Sequence, residues 1–199
     1  MVKDIHPTAS SNPESLTVFN GRLFFSALDA TNGIEPWSTD GTEAGTSLLK
    51  DINPGSSSSA NGYSRHFGVF NNRLFFMAND GVSGGEMWSS DGTAAGTALF
   101  KDIAAGSASS SFALPRIFNN KLYFLANDGV NGAELWHSDG TPGGTAMELD
   151  IRPGLCPPPF IGAAPGPCSS YPSQLTAFDN KLFFSADNGI VGTELWKCS

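Results

Sequence analysis

An all-β fold built from four tandem copies of one unit is predicted by three features of this 199-residue chain. A short apolar run recurs as Asn20-Gly-Arg-Leu-Phe-Phe, Asn71-Asn-Arg-Leu-Phe-Phe, Asn119-Asn-Lys-Leu-Tyr-Phe and Asp179-Asn-Lys-Leu-Phe-Phe. Each run precedes a Glu-x-Trp pair: Glu35 and Trp37, Glu86 and Trp88, Glu134 and Trp136, Glu194 and Trp196, with Trp-to-Trp spacings of 51, 48 and 60. No stretch carries a helical period of apolar residues, and a repeat of about 40 to 50 residues marks propellers and solenoids.

Within one copy the punctuation separates four strands. Asn-Gly or Asn-Asn between apolar runs is a tight-hairpin signal, and the Asp-Gly of Asp40 to Thr46, Asp91 to Thr97 and Asp139 to Thr145 marks a further turn. In the first copy the strands are expected near 16–19, 22–28, 34–39 and 46–52, the last closing with Lys50-Asp51-Ile52. Apolar residues on both faces of Leu-Phe-Phe suit a sheet covered on both sides. The expected architecture is a four-bladed β-propeller-like ring of four-stranded antiparallel blades in a single repeat domain. Its blades span about 16–52, 66–103 and 114–151, then an insertion at 152–174, then about 175–199 plus 1–5. Met1-Val-Lys-Asp-Ile resembles the closing strand, so the N-terminal strand is expected to complete the last blade, in the same chain or head to tail in a neighbour. A stretch cut from a longer array satisfies the same facts.

The insertion is bracketed by Cys156 and Cys168, for which a local disulfide is the natural reading; reduced cysteines are the alternative. A bridge over so short a loop stabilises by roughly 3 kcal/mol and implies an oxidising compartment. Phe160 and Ile161 in that loop form a candidate contact surface, and a merely tolerated insertion reads equally well. The net charge of −8 argues against a nucleic-acid partner, and no apolar run reaches the roughly twenty residues of a membrane span.

Glu and Trp two apart on a strand share one face. One reading makes them a sugar-stacking platform with a hydroxyl acceptor; the other makes Trp an inter-blade packing residue and Glu an acceptor for backbone or Thr donors, which recurrence in every copy favours. The Asp40, Asp91 and Asp139 turns are the candidate metal sites, for calcium. They lack the alternating oxygen ligands of a dedicated calcium loop, and an Asp bonding its own backbone explains them more simply. The stretches Pro54-Gly-Ser-Ser-Ser-Ser and Ala105-Gly-Ser-Ala-Ser-Ser-Ser read as solvated connections. His6, His66 and His137 fall at non-equivalent places, no nucleophile elbow or phosphate loop occurs, and no catalytic residue or cofactor is expected.

Glu134-Leu-Trp-His-Ser-Asp-Gly-Thr-Pro-Gly-Gly-Thr145 and its near copy Glu86 to Thr97 resemble the ELWxxDGTxxGT tandem-repeat family of large surface or secreted proteins. The first copy departs at Pro36, and the fourth has no Asp-Gly-Thr turn after Lys197. The resemblance implies an extracellular β-repeat scaffold with no reaction to carry over. The function expected is therefore a non-catalytic extracellular or cell-surface module for assembly or adhesion, with other subunits or its own copies as partners. The alternatives are a lectin-like module binding surface glycans and, less favoured, a glycosidase.

Overall fold

The computed structural model describes residues 1–60, 67–157 and 164–198. They form an all-β chain whose main sheets are antiparallel meanders. The first sheet holds β1 (Glu14–Phe19), β2 (Arg22–Asp29), β3 (Gly33–Thr39) and the two-residue β4 (Ser47–Leu48). The second holds β5 (Gly68–Phe70), β6 (Arg73–Asn79), β7 (Gly85–Ser90) and β8 (Ala98–Lys101). The third holds β9 (Ala113–Phe118), β10 (Lys121–Asn127), β11 (Ala133–Ser138) and β12 (Thr145–Leu149). A short ladder of β13 (Leu155–Cys156) and β14 (Gly166–Pro167) precedes the fourth sheet, which has three strands: β15 (Ser173–Phe178), β16 (Lys181–Asp187) and β17 (Thr193–Cys198).

Local sequence explains the hairpins. Asn20, the Asn71-Asn72 and Asn119-Asn120 pairs and Asp179-Asn180 all have φ between 45° and 55°, the left-handed values that two-residue turns between right-twisting strands require. Register repeats from sheet to sheet, pairing Phe25 with Trp37, Phe76 with Trp88, Phe124 with Trp136 and Phe184 with Trp196. Two residues along, a small fully buried Ala faces each Glu: Ala27 with Glu35, Ala78 with Glu86, Ala126 with Glu134 and Ala186 with Glu194.

The chain divides into two compact units. The first comprises Met1–Asp102 with Gly106–Ala108, and the second Ile103–Ala105 with the chain from Ser109 onward. Inside the first unit, Phe19, Phe24, Leu49 and Ile52 of the first copy pack on Leu74, Phe76, Ala78 and Trp88 of the second sheet. Inside the second unit, Phe118, Tyr123, Leu135 and Ile151 pack the same way on Leu182, Phe184 and Ala186. Within each unit the later sheet thus offers a Leu-Phe-Ala face to the earlier one, which meets it with a Phe-rich face.

Two expectations are corrected. Lys50-Asp51-Ile52 is not a strand: β4 stops at Leu48, and the segment leaves the sheet because its groups bond elsewhere. Lys50 Nζ donates to Thr97 O, in the turn just before β8, at 2.6 Å, and Ile52 N donates to Glu35 Oε2 at 3.0 Å. Met1–Ile5, matched to it in sequence, likewise forms no strand and does not complete the fourth sheet. It lies on the first sheet, with Lys3 Nζ donating to Thr46 O at 3.0 Å and Ile5 packed against Phe25, Ala27 and Trp37. Lys3 and Ile5 occupy on the first sheet the places that Lys50 and Ile52 take on the second.

Candidate functional site

The strongest constellation of polar groups is the junction between one copy and the next. Glu35 is fully buried on β3, and its carboxylate is held by the linker that comes after the first sheet. Ile52 N (3.0 Å) and Ser59 Oγ (2.5 Å) donate to Oε2, and Ser59 N donates to Oε1 at 2.8 Å. One residue before the Glu, Ile34 N donates to Ser58 Oγ at 2.9 Å. The third copy repeats the arrangement: Ile151 N (3.2 Å) and Ser170 Oγ donate to Glu134 Oε2, Ser170 N donates to Oε1 at 2.8 Å, and Ala133 N donates to Ser169 Oγ at 2.9 Å. Burial pushes the Glu35 carboxyl up to about 7 despite these donors, and it raises Glu134 as well.

The glycine two residues before each Glu shows how closely the linker is seated. Gly33, Gly84 and Gly132 all have φ between 71° and 75°. A Cβ there would meet linker carbonyl oxygens: Ser57 O at 2.8 Å, Ala108 O at 1.9 Å and Cys168 O at 1.9 Å. Only a residue without a side chain admits backbone this close. In the fourth copy, Gly192 has nothing within 4 Å of that position, and Glu194 is exposed.

The paired serines are the functional residues that the sequence reading missed. Ser59, Ser110 and Ser170 are buried, not solvated, and the backbone carbonyls of all three accept from the next hairpin: Asn79 N to Ser59 O at 2.9 Å, Asn127 N to Ser110 O at 2.6 Å and Asp187 N to Ser170 O at 2.9 Å. Ser11 O accepts from Leu28 N at 2.8 Å in the equivalent place. The available signal was a Ser-Ser pair before every copy, at Ser10-Ser11, Ser58-Ser59, Ser109-Ser110 and Ser169-Ser170.

Trp37, Trp88 and Trp136 are each 7 % exposed, which leaves no open indole face for a sugar, and Glu86 is as buried as Glu35 and Glu134. Trp196 is half-buried and donates from Nε1 to Ala186 O at 2.9 Å. In the Asp-Gly-Thr turns, Asp40 Oδ1 accepts from Thr42 Oγ1 at 2.7 Å and Thr42 N at 2.9 Å, and Asp91 and Asp139 bond Thr93 and Thr141 likewise. The Thr hydroxyl and amide hold all three carboxyls below their ordinary value. A Cβ on Gly45, Gly96 or Gly144 would fall 2.0–2.1 Å from the Asp carboxylate, so the second glycine of the motif is there to make room. Among the described residues no group of three or more His, Cys, Asp or Glu side chains is placed to hold a metal ion.

Cys156 and Cys168 form a disulfide across the β13–β14 ladder, and the chain leaves it directly into Ser169-Ser170. The insertion is thus an enlarged linker, pinned just ahead of the residues that hold Glu134. Phe160 and Ile161 lie outside the described residues. Cys198 is a free thiol whose pKa burial pushes up to about 11.

No family model matches the chain, and no curated protein matches it. Among solved structures, the computationally designed protein Ika8 aligns at 15% identity and a TM-score of 0.46, over 99% of this chain and 49% of its own. A prolyl endopeptidase aligns at 14% identity and a TM-score of 0.44, over 89% of this chain and 24% of its own. An α-L-arabinofuranosidase from Clostridium thermocellum aligns at 16% identity and a TM-score of 0.35, over 96% of this chain and 68% of its own. This chain therefore spans about half the length of the first and a quarter of the second.

Proposed function

We propose that this protein is a non-catalytic extracellular or cell-surface scaffold module whose work is assembly or adhesion, its sheets set out as a propeller-like array. One observation carries the reading: the Glu and Trp of the first three copies face inward, and in the first and third copies the Glu is joined to the following linker through its Ser. A carboxylate acting as general acid or base must reach a substrate proton. Glu35, Glu86 and Glu134 are fully buried and engaged by the chain itself. A disulfide supports an oxidising compartment, and a net charge of −8 supports protein partners over nucleic acid.

The test is a turnover and binding screen with the whole chain on polysaccharides and glycans. The scaffold reading expects no turnover and no saturable sugar binding. Hydrolysis of any glycan that is lost in a variant of an exposed carboxylate would overturn it in favour of an enzyme, and saturable binding lost on replacing exposed Tyr171 would overturn it in favour of a lectin.

A further inference from the structure

We infer that the joint between the third and fourth sheets is redox-sensitive: the Cys156–Cys168 disulfide stands in for the short peptide linker of the other copies, and a dithiol that reduces it loosens the seat of Glu134. The device goes beyond the scaffold reading and is independent of what the module binds.

Three linkers of the chain run from an Ile to a Ser-Ser pair. Ile52 and Ser58 are six residues apart, and so are Ile103 and Ser109, whereas Ile151 and Ser169 are eighteen apart. The disulfide spans twelve of those eighteen, and the six that remain match the other two linkers. The landmarks coincide as well. A glycine with φ between 87° and 99° lies three residues after each Ile, at Gly55, Gly106 and Gly154. The residue just before each Ser-Ser pair sets its carbonyl against the glycine ahead of the Glu: Ser57 on Gly33, Ala108 on Gly84 and Cys168 on Gly132. Cys168 therefore fills the place of Ala108, and at the neck of the insertion its amide donates to Gly154 O at 3.0 Å. An insertion elsewhere on the surface could take any length. This one interrupts the segment that must reach from Ile151 to Ser169, and the bridge restores the reach.

The contacts that depend on this span lie within one compact unit. Ile151 N, Ser170 N and Ser170 Oγ donate to Glu134, Ala133 N donates to Ser169 Oγ, and Asp187 N of the fourth sheet donates to Ser170 O at 2.9 Å. The cost of closing a loop grows as three-halves of the logarithm of its length. Without the bridge the connection is eighteen residues against six, so the open form of the joint should rise about fivefold. The first joint, whose linker is peptide throughout, has no such lever. The chemistry is thiol–disulfide exchange. Cys168 is buried and Cys156 half-buried, so one thiolate of the dithiol attacks Cys156 Sγ, the bond to Cys168 breaks, and Cys168 leaves as a thiolate. The second thiol then resolves the mixed disulfide and frees Cys156. The dithiol ends as its own disulfide, and its two protons end on the two cysteines.

The experiment is residue-resolved amide hydrogen exchange on the whole chain, before and after treatment with dithiothreitol under folding conditions. Thiol labelling after quenching should count one free thiol in the oxidised chain, Cys198, and three in the reduced chain. On reduction the amides of Ile151, Ser170 and Asp187 are expected to exchange about fivefold faster, while their counterparts Ile52, Ser59 and Asn79 keep their rates. Cys156→Ser combined with Cys168→Ser is expected to show the fast rates with or without dithiol. Deleting residues 156–167 together with Cys168→Ala restores the six-residue separation in peptide alone, and it is expected to show the slow rates in both conditions. Unchanged rates at Ile151, Ser170 and Asp187 in a chain carrying three thiols would overturn the inference. So would a thiol count that stays at one, an equal acceleration at Ile52, Ser59 and Asn79, or fast exchange in the shortened variant. None of these results touches the scaffold reading, which fails on turnover or sugar binding.

Discussion

Glu134 and Glu194 sit in the same Gly-x-Glu-Leu-Trp sequence, on equivalent strands, each opposite a buried Ala. One is fully buried and holds Ile151 and Ser170; the other faces water. The two differ in the covering that the chain supplies. After β11 comes a turn, a fourth strand and a linker that folds back over the carboxylate, and among the described residues no linker covers β17. The motif is therefore half of a joint, and its energetic value appears only where the other half is in place.

The widest gap is expected between Glu134→Ala and Glu194→Ala. The first strands the amides of Ile151 and Ser170 and the Ser170 hydroxyl, all buried, at a cost of about 3–5 kcal/mol. The second removes an exposed carboxylate and should stay within about 0.5 kcal/mol. Denaturant titration of the single chain at low concentration measures both; equal losses would mean that the linker contributes nothing through the Glu.

Protonation sharpens the same contrast. Because burial raises Glu35 from 4.5 in the unfolded chain to about 7, the folded state binds that proton more tightly. Its contribution is present in full below about 4.5 and is lost as the pH rises to about 7, by about 3 kcal/mol at one pKa unit per 1.4 kcal/mol. The carboxyls of Asp40, Asp91 and Asp139, lowered by their Thr partners, act with the opposite sign and lose stability as the pH falls through their folded values. Melting temperature measured across pH 4.5 to 7.5 should fall on the alkaline side in wild type, and Glu35→Gln should flatten that limb. A limb unchanged in Glu35→Gln would place its origin elsewhere.

The glycines ahead of the Glu allow a purely steric version. Gly132 and Gly192 both have positive φ, 75° and 84°, so Ala costs each about 1–2 kcal/mol of left-handed strain. At Gly132 the new Cβ also lands 1.9 Å from Cys168 O and must displace the linker, adding about 1–3 kcal/mol. Unfolding of the two Ala variants should differ by that second amount, and indistinguishable curves would show that the linker gives way freely.

Much of this was legible in the residues. The repeat, the two-residue hairpins at Asn20-Gly21 and Asn71-Asn72, and the Asp40 turn all rest on local rules that act within a few residues. The disulfide was the natural reading of two cysteines twelve apart, though not the one reading open. What sequence could not place was any contact made across a linker. Ser59 lies 24 residues from Glu35, and Ser170 lies 36 from Glu134 because the Cys-bearing insertion intervenes. A Gly-Ser stretch has the composition of a solvated tether, and nothing local says that its serines are buried. The same blindness turned Lys50-Asp51-Ile52 into a strand: its alternation fits one, but its lysine is claimed by Thr97 in the turn before β8 and its Ile52 amide by Glu35 on β3.

The smallest predicted effect tests whether the serines or only their backbone make the joint. Ser59→Ala removes the hydroxyl that donates to Glu35 Oε2 but keeps Ser59 N on Oε1 and Ser59 O on Asn79 N, so about 1 kcal/mol should be lost. Ser11→Ala, at the equivalent place in the N-terminal segment, removes a hydroxyl with no carboxylate to serve among the described residues and should leave unfolding unchanged. A Ser11→Ala variant that unfolds early as a single chain would show that this hydroxyl already has an acceptor at home, and the correspondence between Ser11 and Ser59 would fail with it.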